Sequence, residues 1–198
     1  MSRRETGSAD AMVYFSVDIE ASGPVPALFN MVSIGAVPVR SRAGRFEPDE
    51  DRFYAELRPE APGFDPGAMA VHGIPRERLE REGLPPGQAM RDLTRFVEER
   101  RGGGKAVFVG HNVGFDWSYV AYYFENAGLP NPFGYKSLDI KSLAMGRLRI
   151  GWFETSKESL QKLLPGLPEQ DRRRVHRADY DALYQAQILC ALLNLPPR

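Results

Sequence analysis

Apolar residues gather into short runs in the first third of the chain and recur at helical spacing after it. Residues 12–18 hold Met12, Val13, Tyr14, Phe15 and Val17, residues 31–40 form a second run, and residues 51–57 alternate apolar with polar. Short runs rich in valine and aromatics, bounded by Pro, Gly and Asp, read as β-strands. Three in succession predict an antiparallel meander. A Pro/Gly-rich stretch, residues 59–67, then leads to a helix over residues 86–101, where Met90, Leu93, Phe96 and Val97 share one face and Gly102, Gly103 and Gly104 end it. Residues 105–109 read as a buried strand and residues 115–127 as a helix stopped by Gly128 and Pro130. A short strand at 135–139, helices at 140–148 and 157–164, and a last helix at 178–193 complete the pattern. The expected fold class is α/β: a mixed five-stranded sheet, three antiparallel strands followed by parallel additions, with helices on its faces. Residues 1–10 are polar and aperiodic, which reads as a disordered terminus, and leaves 11–198 as a single expected domain.

Composition narrows the class further. Of 198 residues, 42% are hydrophobic and 26% charged, a balance that excludes fibrous and disordered chains. No stretch approaches the roughly 18 apolar residues of a membrane span, and neither a span nor a signal peptide is expected. The lone Cys190 permits no intrachain disulfide, so a reducing, cytoplasmic setting is expected. With 26 basic and 26 acidic residues the net charge is zero, so contact with a polyanion has to be local.

Three segments carry candidate chemistry. Asp18 and Glu20 close the first strand; at a period of two they face the same side, and two like charges that close repel unless a cation lies between them. An isolated Asp-x-Glu is also what a strand running out into solvent looks like. His111-Asn112-Val113-Gly114-Phe115-Asp116 follows the fourth strand, placing Asp116 in a helix's first turn at the carboxyl end of a sheet strand, where α/β ligand sites gather. An Asp there also serves as a helix cap. His176 precedes the last helix and Asp181 lies in its first turns, so a histidine on a lead-in loop stands near a carboxylate on a rigid element. Taken singly, a histidine at a helix start is more often a surface or capping group.

In combination, Asp18-x-Glu20, His111-Asn112-x-x-Phe115-Asp116 and His176-x-Ala178-x-x-Asp181-Ala182 resemble the three motifs of the DnaQ-like 3′-5′ exonuclease superfamily, DEDDh branch. Val71-His72-Gly73-Ile74 resembles a recurrent turn of that family. The tyrosine branch places Tyr four residues before the last Asp; Arg177 stands there, with His176 one residue earlier. The family often carries a hydroxyl residue directly after the first motif, where this chain has Ala21, followed by Ser22 and Gly23.

The resemblance implies a ribonuclease-H-like fold and a two-metal-ion exonuclease that releases nucleoside 5′-monophosphates from the 3′ end of single-stranded DNA or RNA. It implies Asp18, Glu20, Asp116 and Asp181 as ligands of two divalent cations, Mg²⁺ or Mn²⁺, hard ions that favour carboxylate oxygens, with Asp18 bridging both and His176 as general base. Candidate substrate contacts are Ser22, Gly23, His111, Asn112, Phe115, Trp152, Phe153 and Arg177, the two aromatics between helices being the better stacking candidates. The alternative is a catalytically silent nucleic-acid-binding module on the same fold. DNA against RNA, homodimer formation and association with a polymerase stay open. Gly102-Gly103-Gly104-Lys105 lacks the spacing and the following Ser/Thr of a phosphate loop, and His72, His111 and His176 lack the spacing of a zinc site. Arg172, Arg173 and Arg174 read as a solvated basic face or as a contact to a phosphate backbone.

Overall fold

In the computed structural model, which describes residues 12–196, strand β1 (Met12–Ala21) runs through the middle of a mixed sheet. Its alternation explains its place. Val13, Phe15, Val17 and Ile19 enter one core, with Phe15 and Val17 fully buried, while Tyr14 packs on a second core on the other face. A strand covered on both faces reads as a continuous apolar run. Strand β2 (Met31–Arg42) pairs antiparallel with β1, and β5 (Lys105–Gly110) pairs parallel with it on the other side. Beyond β5 lies the short β6 (Ser137–Asp139).

The outer edge of β2 is shared end to end by two short strands, β3 (Arg45–Pro48) and β4 (Phe53–Glu56). Among the described residues the sheet is therefore mixed and five strands wide, as expected, but holds six strands. The additional one, β3, comes from a two-residue hairpin at Ala43-Gly44, both with positive φ, the geometry that matches strand twist. Its flanking arginines hid it from a pattern of apolar runs.

One face of the sheet carries α3 (Pro86–Arg101) and α4 (Gly114–Asn126); the other carries α5 (Ile140–Leu148), α6 (Lys157–Leu163) and α7 (Ala178–Leu193). Two seven-residue helices, α1 (Pro66–His72) and α2 (Arg76–Glu82), lie in the stretch where no element was expected. Caps and not apolar periodicity define α1: Asp65 accepts the amide of Ala68, Pro66 opens the helix, and Gly73 closes it at φ 66°. The turn Val71-His72-Gly73-Ile74 is its C-terminal end. The expectation for residues 1–10 lies outside the described residues. Among the described residues no helix is long and apolar enough to cross a membrane.

Two packing details place the functional segments. Gly35, paired with Asp18 across the ladder, would put a Cβ 2.4 Å from the backbone of Ala178 and Asp179. Only glycine lets the first turn of α7 settle on β2 at that point. On the other side, Asp139 at the end of β6 accepts the Val113 amide at 3.0 Å and caps α5 through the Ser142 amide at 2.7 Å, which fixes the loop between β5 and α4.

Candidate active site

Asp18 and Glu20 arrive on the end of β1, just before the register irregularity between Glu20 and Ala21. Asp116 arrives in the first turn of α4 and is buried. Its Oδ1 accepts the amide of Ile19 at 3.0 Å, so the carboxyl reaches across to β1 and ties the second motif to the first. Asp181, in the first turn of α7, is 2% exposed. Its Oδ2 accepts the His176 amide at 2.6 Å. That bond holds His176 at φ 66°, a left-handed conformation that costs a residue other than glycine roughly 1–2 kcal/mol and that is found at sites where the surrounding structure enforces it. Asn112 in the second motif is left-handed too, at φ 67°.

The five side chains come together. Ligand atoms of Glu20, His176 and Asp181 all lie within 4.8 Å of one another. Asp18 and Asp116 complete the cluster, and its electrostatics follow from burial and like charge. Burial, and then the charges of Asp116, Asp181 and Glu20, hold the Asp18 carboxyl well above the usual carboxylate range. Burial, with Asp181 next, raises Glu20 to about 8. Asp116 rises to about 7 for the same leading reason, partly offset by the Ile19 hydrogen bond. Carboxylates that raise one another's affinity for positive charge in this way could hold a cation.

Three groups at this site carry no motif signal. The Lys157 ammonium, at the start of α6, lies 2.8 Å from Asp181 Oδ1 and 4.0 Å from Asp18 Oδ1. Burial opposes its charge, but Asp18 and Asp181 outweigh that and hold its pKa up. Gln170 donates to Asp181 Oδ1 at 3.0 Å. Gln185, buried one turn beyond Asp181, donates to Asp18 Oδ1 and accepts the His111 amide at 3.0 Å, joining all three motifs. Its signal was available: a polar amide four residues after Asp181, in an otherwise apolar helix face.

The other candidates divide. Gly23 and Phe115, with Glu20, Ala21, Pro24, Asp65, Ala68 and Val71, line a cavity of about 460 Å³ beside the carboxylates. Ser22 does not line it: fully buried, its hydroxyl donates to Gly63 O at 2.7 Å and accepts the Asn30 amide at 2.8 Å, stapling β1 to the 59–63 loop. The Ser22 contact is therefore structural. His111 Nε2 meets the Thr155 carbonyl at 2.7 Å and anchors a one-turn 3₁₀ helix, Trp152–Thr155. On that turn Phe153 is 94% exposed, and Trp152, half-exposed, carries the Lys141 ammonium 3.7 Å above its ring. Arg177 is exposed and paired with Asp179 at 2.6 Å. Arg172, Arg173 and Arg174 are exposed, and Arg174 stacks on Tyr180 at 4.5 Å. Trp117 belongs to the core, its ring 5.1 Å from Phe108.

A family model described as RNase_T, exonuclease, matches residues 15–189. The chain is 37% identical over 180 residues to the 3′-5′ DNA exonuclease Cap18 of Escherichia coli, covering 90% of both chains. It is 27% identical over 183 residues to ribonuclease T of Yersinia pseudotuberculosis, covering 90% of this chain and 83% of that one. The nuclease domain of 3′hExo, a DEDDh family member bound to rAMP, has a TM-score of 0.72 at 14% identity over 93% of this chain and 92% of its own, a likeness of fold. The chain therefore belongs to the RNase_T exonuclease family, among the DnaQ-like 3′-5′ exonucleases, and shares the ribonuclease-H-like fold of its DEDDh structural neighbour.

Proposed function

We propose that the chain is a two-metal-ion 3′-5′ exonuclease that removes nucleoside 5′-monophosphates from single-stranded 3′ ends, with His176 as general base. The observation that carries this reading is the convergence of Asp18, Glu20, Asp116 and Asp181 beside His176, with Glu20 and Asp116 holding protons up to about 8 and about 7 through burial and mutual charge. Those oxygens suit hard divalent ions. Two divalent ions, Mg²⁺ or Mn²⁺, would supply positive charge to both the attacking and the leaving oxygen of an in-line displacement.

The chain's own groups do the rest. Asp18, Glu20, Asp116 and Asp181 would hold the ions. His176, on an exposed turn pinned by Asp181, accepts through a ring nitrogen the proton of the attacking water. The water oxygen bonds to phosphorus, the bond to the 3′ oxygen breaks, and the 5′-monophosphate leaves. The 460 Å³ cavity lined by Phe115 and Val71 takes the terminal nucleoside. Trp152 and Phe153 stack bases further upstream, each stack contributing about 1–3 kcal/mol without sequence preference. The relative at 37% identity is by name a DNA exonuclease, so DNA is the first substrate to test. A silent binding module would not require all four carboxylates and the histidine.

The test incubates 5′-labelled single-stranded DNA, single-stranded RNA, duplexes and a dinucleotide with Mg²⁺, Mn²⁺ or EDTA. The reading predicts ladders shortening from the 3′ end with either ion, 5′-monophosphate products and no change in EDTA. Intact substrate with both ions would refute it.

A further inference from the structure

We propose that Lys157 is the resident counter-ion of the carboxylate cluster and sets its divalent-ion affinity by competing for Asp181; the inference rests on the metal-site reading above. Both oxygens of Asp181 already accept hydrogen bonds. Oδ2 takes the His176 amide at 2.6 Å, and Oδ1 takes Lys157 Nζ at 2.8 Å and Gln170 Nε2 at 3.0 Å. Oδ1 thus has both of its lone pairs engaged, and a cation that binds through it has to displace Lys157 or Gln170. Of the two, only the lysine carries charge, and two positive charges within about 4 Å of each other repel strongly in a buried setting.

The position of the ammonium is set by the fold and is not an accident of a free surface side chain. Lys157 opens α6, whose N-terminus is capped by Ser156 accepting the Ser159 amide at 3.1 Å and whose Leu160 is fully buried. Two residues upstream, the Thr155 carbonyl is held by His111 at 2.7 Å. The side chain is only 21% exposed. It also lies 4.0 Å from Asp18 Oδ1, a second proposed ligand, and among the described residues no other Lys or Arg forms an ion pair with the four carboxylates. An ordinary structural ion pair needs one partner, whereas this ammonium stands between two proposed ligands. Its four-carbon stem allows it to release Asp181 without moving α6.

A counter-ion and a structural lysine give opposite signatures. Loss of a structural lysine weakens the fold and the ion site together, whereas loss of a counter-ion weakens the ion-free fold but strengthens ion binding. Calorimetric Mn²⁺ titrations and ion-free melting curves would be recorded for wild type, Lys157→Met, Lys157→Gln and Lys157→Arg. The two uncharged variants are expected to bind Mn²⁺ about tenfold or more tightly than wild type and to melt lower without ion, while Lys157→Arg keeps an affinity near that of wild type. Lys157→Gln retains a donor to Asp181, so it serves if the methionine variant does not fold. Uncharged variants that bind no more tightly than wild type, or an arginine variant that binds as tightly as they do, would overturn the proposal while leaving the exonuclease reading intact. A wild type that binds no Mn²⁺ would overturn both.

Discussion

The two faces of β1 are buried to almost the same depth and do opposite things. On one, Phe15 and Val17 are fully excluded from water and Phe15 sits edge-on to Phe133 at 5.7 Å. On the other, Glu20 is 8% exposed and stands in a group of four carboxylates. Burial of the first face is the main favourable term in folding. Burial of the second is unfavourable for the ionised groups, and only compensation by protons, by Lys157 or by divalent ions relieves it. One strand thus contributes stability on one side and concentrates negative charge on the other, and what decides between the outcomes is the identity of alternate residues.

That contrast can be broken most sharply on the charged face. Asp18→Asn should lower turnover by about three orders of magnitude or more, because charge stabilisation by bound ions contributes several kcal/mol to such a displacement, while leaving the ion-free fold as stable as wild type or more so. His176→Ala should retain ion and substrate binding and lose roughly 10²–10⁴-fold in turnover, the range for a lost general base. On the apolar face, Phe15→Ala should reduce stability by about 3–5 kcal/mol in chemical denaturation and leave Mn²⁺ affinity unchanged in whatever fraction folds. Substitution of Phe153 by Ala should weaken binding of a long single strand by about 1–3 kcal/mol, read as a rise in KM.

A pH series sharpens the same comparison with a smaller effect. Glu20, Asp116 and Asp18 hold their protons more tightly folded than unfolded. The native state therefore binds more protons between the unfolded carboxylate range near about 4 and the folded values. Their contribution to stability is full below that range and is lost as pH rises through about 7 and about 8. Ion-free melting temperatures should accordingly fall from pH 5 to pH 8, and Glu20→Gln should flatten the fall.

What the sequence disclosed and what it hid follow from the range of each interaction. β1, β5, α4 and α7 were legible because their apolar runs are local, and the five motif residues because each sits at a strand end or helix start whose position those runs define. β3, α1 and α2 were not: β3 depends on a turn between arginines, α1 on caps at Asp65 and Gly73, and α2 is a short, charged helix between Pro75 and Gly83 with one buried residue, Leu79. Lys157 reaches Asp18 from 139 residues away in sequence, and no local pattern records that meeting; Gln185, 167 residues away, was marked only by its polar side chain on an apolar helix face. Ser22 was read as a substrate contact from its nearness to the first motif, but Asn30 and Gly63 close on its hydroxyl, a partnership again visible only in three dimensions.

The central claim is that the buried charge of the second face exists to hold divalent ions. It is tested most directly by melting wild type and Asp18→Asn at pH 8 with and without Mn²⁺. Ions that bind only the native state stabilise it by about 2.7 kcal/mol at one hundred times the dissociation constant, so the wild-type curve should move up by several degrees and the variant curve much less. A wild-type curve that saturating Mn²⁺ leaves in place would contradict the account.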